Sequence, residues 1–245
     1  MIDMHRHLPR ENEPIIPEAW QIWFATSSTE EWTIARARTL PQGHRRGYGI
    51  LPESLEHKNV TNGFIEDITQ RLYEILKDDS LGYIGEIGFD SRFEHCLPYA
   101  LQKDLLRELF RIAHALQRPI VLHHVGPIPW LEDLLTSCNF QIPVLIHGFI
   151  KSIEVAQRFT QLGATISLGP SLWKYPTKLA ERLYELTVPF LIETDYPNVP
   201  SASFSEMTYE HILKEHIAKL AILMHVQEKQ IEEQCDANAK IFTNW

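Results

Sequence analysis

The chain has 245 residues, 44% of them hydrophobic and 22% charged, with a formal net charge of −9. That length suits one domain spanning 1–245 with a large core, and it is close to the ~250 residues of a (β/α)8 barrel. The negative balance excludes a protein that coats nucleic acid with a broad basic face, but not a nuclease whose bound cations supply local positive charge. No apolar run reaches membrane-span length, and MIDMHRHLPR holds no apolar signal region, so the expectation is a cytoplasmic protein with an intact N-terminus. Cys96, Cys138 and Cys235 are widely spaced with no CxxC pair, and read as reduced thiols.

Short apolar runs rich in β-branched and aromatic residues predict strands at Ile2–His5, Gln21–Thr26, Gly47–Leu51, Tyr83–Gly85, Pro119–His123, Pro143–His147, Ala164–Leu168 and Pro189–Glu193. Helical periodicity fills most of the intervals, at Asn62–Lys77, Tyr99–Leu116, Ile128–Leu135, Ile153–Leu162 and Thr177–Leu186. The stretch from His7 to Trp20, with Pro9, Pro14 and Pro17, reads as a loop. Met207–Trp245 reads as helical throughout, covering a flank or one end. Strands alternating with helices imply a parallel sheet, and eight such units imply one that closes into a (β/α)8, TIM-type barrel, regular or distorted.

Six residues capable of holding a metal follow these strands or sit in them: His5 and His7 in IDMHRH, Glu86 in YIGEIGFD, His123 in PIVLHH, His147 in PVLIHGF and Asp195 in FLIETDYP. In a parallel barrel the strand ends share one rim, so residues far apart in sequence meet there. Side chains alternate along a strand, so His5 and His7 face the same way, and Asp3 shares their parity. A carboxylate such as Glu86 at the end of a buried run is costly unless it is paired or metal-bound. It either bridges two ions or pairs with a base such as Arg92. His123 and His147 each end a run of Pro and three apolar residues; His124 points the other way. Asp195 is placed to bind an ion and act as general base toward water, and Glu193 is the rival carboxylate. A mixed histidine and carboxylate set suits zinc, manganese, iron or cobalt better than calcium, while magnesium stays open; one or two ions fit.

Taken together, IDMHRHL, GEIGFD, VLHH, HGF, ETDYP and the closing NAKIF resemble the ordered motifs of the TatD-like metal-dependent deoxyribonucleases, within the amidohydrolase-like TIM barrels. The resemblance runs from Asp3 to Phe242, and GEIGFD with ETDYP is its specific part. It implies phosphodiester hydrolysis, often 3′-to-5′ trimming of DNA. By position it implies that His5 and His7 hold one ion, Glu86 bridges, His123 and His147 hold a second, and Asp195 binds the first ion and activates water. Arg92 and Lys151 become candidate substrate contacts, with Lys174 and the His44-Arg45-Arg46 cluster as further phosphate contacts. Tyr48, Trp173 and Tyr175 are either channel-lining or ordinary loop aromatics. Three positions depart from the family pattern: Leu51 stands where a histidine is usual, Val125 where a basic residue is common, and Lys151 where glycine is usual. These departures motivate a second expectation, hydrolysis of a small ester, amide or lactone. A third is a non-catalytic metal-binding protein. No GxGxxG, GxxxxGK[ST] or GxSxG occurs, which argues against nucleotide-loop and serine-hydrolase chemistry.

Overall fold

Eight parallel strands follow one another around a barrel in sequence order. The computed structural model describes residues 1–9, 20–174, 177–199 and 207–244. The strands are β1 (Ile2–His7), β2 (Gln21–Ala25), β3 (Arg45–Gly47), β4 (Gly82–Asp90), β5 (Ile120–Val125), β6 (Val144–Ile146), β7 (Thr165–Leu168) and β8 (Phe190–Ile192). The helices are α1 (Thr29–Ala37), α2 (Asn62–Asp78), α3 (Tyr99–Leu116), α4 (Ile128–Cys138), α5 (Ile153–Gln161), α6 (Lys178–Glu181), α7 (Tyr209–Met224) and α8 (Glu228–Thr243).

Alternation within each strand sorts side chains into two layers. Met4, Trp23, Tyr83, Val121, Leu145 and Leu191 fill the barrel interior, and Ala239 and Phe242 of α8 join them. The chain's last helix therefore closes the end where the strands begin, and the Met1 amino group reaches Asp236 there at 3.2 Å. Outward residues such as Ile84, Ile87, Ile120, Ile146, Ile166 and Ile192 pack under the helices in the larger core. Neighbouring strands pair from β1 through β8. At the β8–β1 seam, side chains and loop backbone do the joining. Asp3 accepts from the Thr194 amide (3.0 Å) and hydroxyl (2.7 Å), and the Asp195 amide donates to the His5 carbonyl at 2.9 Å. The result is a nearly closed TIM-type barrel, as the alternating pattern implied.

Several boundaries differ from expectation. The third strand begins earlier, at Arg45, and its ladder ends at Gly47, resuming only as a single bridge between Ile50 and Ile87. In the gap the Thr26 hydroxyl donates to the Gly47 carbonyl and accepts from the Gly49 amide, both at 2.9 Å, replacing ladder bonds. A Cβ on Gly49 would lie 2.1 Å from the Thr26 carbonyl oxygen and from the Glu86 nitrogen, so this close approach requires glycine. Helix α1 was not anticipated; it buries only Trp32 and Ala35, too few apolar positions for a visible period. Thr177–Leu186 breaks into α6 and a 3-10 turn at Leu183–Glu185, and Met207–Trp245 divides at His225, a left-handed residue that caps α7. Pro14, Pro17 and Tyr175 lie outside the described residues. None of the described helices is long and apolar enough to cross a membrane.

Candidate metal centre

Two β-bulges aim the site. Along β1, Asp3 pairs with Ile22 and Arg6 with Phe24, so three residues on β1 match two on β2. Along β4, Ile84 pairs with Ile120 and Ile87 with Leu122, the same mismatch. Each extra residue turns two consecutive positions inward: Met4 with His5, and Gly85, where a Cβ would meet the interior Tyr83 and Val121 side chains, with Glu86. The bulge also reverses the parity expected of Asp3. It faces away from the site and bonds Thr194, the Tyr209 hydroxyl (2.9 Å) and the His5 amide (3.2 Å). Burial pushes the Asp3 carboxyl up to about 6 against these hydrogen bonds. β8 ends early, and Asp195, with φ 53, turns its carboxylate over the β1 histidines while the His7 amide donates to the Tyr196 carbonyl at 2.9 Å.

All six candidate ligands converge. Glu86 sits at the centre with its two oxygens facing opposite groups. Oε2 lies 3.5 Å from His5 Nε2 and 3.6 Å from His7 Nε2. Oε1 lies 2.8 Å from His123 Nδ1 and 2.7 Å from His147 Nε2. Asp195 Oδ1 is 3.6 Å from His5 Nε2 and 3.3 Å from His7 Nε2. The ligand atoms of His5, Glu86 and His147, and those of His5, His7 and Asp195, form two groups each within 4.8 Å. The His5 and His147 rings stack at 4.1 Å, bringing the two groups together.

The residues fit a divalent cation on two counts. Donors about 2.1 Å from a tetrahedral ion stand about 3.4 Å from one another, and the four His–carboxylate separations around His5, His7, Glu86 and Asp195 run from 3.3 to 3.6 Å. Two buried polar atoms that face the centre also lack a hydrogen-bond partner: His5 Nε2 and Asp195 Oδ1. Buried polar atoms are rarely left so. Without a cation the opposite charges compensate each other. Burial opposes charge throughout. The Glu86 and Asp195 carboxylates lift His5 to about 9 and Glu86 with Glu193 lifts His147 well above its usual value, while Glu86 is held well below its own by His147 and His5.

A second layer of carboxylates stands behind two of the histidines. His123 Nε2 faces Asp90 Oδ2 at 3.5 Å, and His147 Nδ1 faces Glu193 Oε1 at 3.5 Å. Sequence parity left Glu193 and Asp195 as rivals; the structure separates them, with Glu193 fully buried behind His147 and Asp195 at the rim. Asp90 was visible in GEIGFD but carried no distinguishing signal. Asn198 Nδ2 reaches His7 Nε2 at 2.8 Å, and nothing in the local sequence marks it.

The expected substrate contacts fare unevenly. Arg92 turns its Nε onto Asp90 at 2.9 Å, with Nη2 beside it, so it pairs with Asp90 and not with Glu86. Its side chain is still 60% exposed at the rim. Lys151 is half-buried beyond β6, and its charge, after burial, helps push His124 down to about 4. The His124 ring lies edge-on to Phe89 at 6.3 Å, away from the site. The His44-Arg45-Arg46 cluster is at the opposite end, where β3 begins. Arg46 donates to the Ala35, Arg36 and Arg38 carbonyls and so tethers the end of α1. Tyr48 is buried outside the barrel with its hydroxyl on Asp79 at 2.6 Å, and lines no channel. Trp173 donates its indole N–H to His216 at 2.8 Å.

The chain matches the TatD related DNase family model over residues 2–244. It is 29% identical over 184 residues to an uncharacterized metal-dependent hydrolase, YjjV, of Escherichia coli K12, covering 72% of this chain and 68% of that protein. The solved structure of YjjV, described as a TatD homolog, superposes with TM-score 0.74 at 24% identity over 92% of this chain and 86% of that one. A TatD family hydrolase from Entamoeba histolytica superposes with TM-score 0.67 at 13% identity, covering 91% and 84%. With the barrel, the rim and the match along nearly its whole length in agreement, the chain belongs to the TatD-related DNase family of metal-dependent hydrolases.

Proposed function

We propose that the protein, acting as one unit over residues 1–245, hydrolyses phosphodiester bonds in DNA through water activated at this centre. The observation that carries the reading is Glu86, whose two oxygens address two separate histidine pairs. His5, His7, Glu86 and Asp195 would hold one divalent ion, and Glu86, His123 and His147 a second. When bound, such ions polarise a phosphoryl oxygen and make water nucleophilic near neutral pH. Zinc, manganese, iron or cobalt matches the nitrogen-rich donors, and magnesium the carboxylates.

Asp195 is the general base. Its side chain is 21% exposed, whereas Glu86, at 3%, is sealed beneath the histidines. Among these carboxylates it is therefore the one that reaches an attacking water from the open side. Glu86 contributes by fixing both halves of the site. Arg92, held by Asp90, keeps Nη1 clear of that pairing and offers it to a substrate phosphate, and Lys151 offers a second positive charge from the β6 side. Since the chain as a whole is acidic, the positive charge that draws a DNA end would come from bound cations together with Arg92 and Lys151. A cytoplasmic location accords with this reading.

The test is hydrolysis of end-labelled single-stranded DNA by metal-loaded protein. Asp195→Asn should lower the rate about 10²- to 10⁴-fold, as for loss of a general base, and chelation should abolish it. Metal-loaded wild-type protein that leaves DNA intact sinks the DNA reading. A second reading, hydrolysis of a small ester, amide or lactone, draws on Leu51, buried beside the β4 bulge and carrying no polar group to a substrate. Cleavage of small esters by protein that spares DNA would favour it.

A further inference from the structure

Glu193 is a buried carboxylate whose role the hydrolytic reading does not use. It is fully buried, and no lysine or arginine among the described residues pairs with it. Such a group is costly to bury unless its position repays the loss of hydration. Its surroundings hold it in one orientation. The Gly148 amide donates to Oε1 at 2.7 Å and the Ser167 hydroxyl donates to Oε2. A Cβ on Gly169 would come within 2.8 Å of Glu193 Cγ, so glycine leaves room for the side chain. Held this way, Oε1 stands 3.5 Å from His147 Nδ1, while the same ring's Nε2 stands 2.7 Å from Glu86 Oε1. The imidazole is strung between two carboxylates, one facing the site and one behind it.

We infer that Glu193 is a positioning residue that keeps the proton of His147 on Nδ1 and leaves Nε2 as a lone-pair donor toward the metal centre. This rests on the metal-dependent reading above. A carboxylate behind a ligand histidine fixes the tautomer and ring orientation and raises the basicity of the coordinating nitrogen. His123 has the corresponding arrangement with Asp90, which is itself clamped by Arg92. Among the described residues His5 has no such partner, since both carboxylates that face its ring, Glu86 and Asp195, stand at Nε2 and not at Nδ1. Among the described residues the two halves of the centre are thus built differently, with carboxylate support behind His123 and His147 and none seen behind His5.

Zinc binding by the full chain, measured by equilibrium dialysis with wild type, Glu193→Gln and Ser167→Ala, tests this without recourse to activity. Glu193→Gln should weaken zinc binding about 10- to 100-fold. Nitrogen NMR of the zinc-loaded wild type should show His147 carrying its proton on Nδ1. Equal zinc affinity in wild type and Glu193→Gln, or a proton on Nε2 in the loaded wild type, overturns the inference while leaving the hydrolase reading intact. Should Glu193→Gln not fold, Ser167→Ala removes one of the two donors that orient Glu193 and keeps its charge. It should lose affinity to a smaller degree, and unchanged affinity there overturns the inference equally. Wild type that binds no zinc or other divalent ion overturns the metal reading and this inference together.

Discussion

Two buried histidines in this protein show how a candidate ligand differs from a structural residue. His216 on α7 is fully buried, yet both nitrogens are used: Nδ1 accepts from the Trp173 indole at 2.8 Å, and Nε2 donates to the Leu168 carbonyl at 2.8 Å. His5 is as deeply buried, with both nitrogens lacking hydrogen bonds and two carboxylates facing Nε2. Saturated hydrogen bonding leaves no lone pair for a cation. Burial pushes His216 down to about 4, below its value in the unfolded chain. Between roughly pH 6.5 and 4 the unfolded chain therefore binds a proton that the native state refuses, and stability falls as pH is lowered through that window. The slope from this one group is at most about 1.4 kcal/mol per pH unit. Denaturant titrations of wild type and His216→Phe at several pH values check this: the variant should lose that slope, and parallel curves would refute it. Glu86, the six-residue site's centre, was singled out from a single letter at the end of an apolar run, because burying a carboxylate demands a partner. Which partner it takes, four histidines and not Arg92, depends on strands up to about 80 residues away and was not decidable locally.

At the level of elements, the strands' ends matter more than their lengths. The alternation of apolar runs and helical periods located seven of the eight strands and met the third only at Gly47, since each pattern is a local two-residue or 3.6-residue period. The bulges in β1 and β4 were not legible, because a bulge is a mismatch between two strands and has no signature in one. Parity reasoning therefore placed Asp3 with His5 and His7, and the bulge between them placed it on the other face. The break in β3 has the same origin: the β4 bulge pushes toward Gly49, and Thr26 supplies the missing hydrogen bonds. Thr26→Val keeps the shape and removes the hydroxyl, leaving the Gly47 carbonyl and Gly49 amide unpaired. It should cost about 1–3 kcal/mol, read as a lower urea midpoint at unchanged slope. Since the Glu86 amide donates to the Thr26 carbonyl at 2.8 Å, the same variant should also weaken metal binding by displacing β4.

For the whole molecule the decisive feature is the seam between β8 and β1, which the chain reaches only after about 190 residues. Asp3 receives four hydrogen bonds there, from Thr194 twice, Tyr209 and the His5 amide. Asp3→Ala strands those donors in a dry environment and should cost about 3 kcal/mol or more, a fall in Tm of roughly 6–12 °C for a chain of this size. It should also lower metal affinity, because the seam carries Asp195 into place over His5 and His7. A calorimetric scan with and without added zinc separates the two effects. An Asp3→Ala protein that melts like wild type would show the seam to be dispensable.

Local sequence determined most element types, the alternating order of strands and helices, and the choice of the six candidate ligands, because periodicity and the cost of burying charge act residue by residue. The family resemblance followed from the same short motifs. Tertiary structure decided what each polar residue does. It turned Asp3 outward, set Glu193 behind His147, paired Arg92 with Asp90, and moved the Arg45–Arg46 pair to the far end of the barrel. Each of those outcomes depends on register between strands and on closure of the ring, which are long-range geometric conditions that no window of sequence contains.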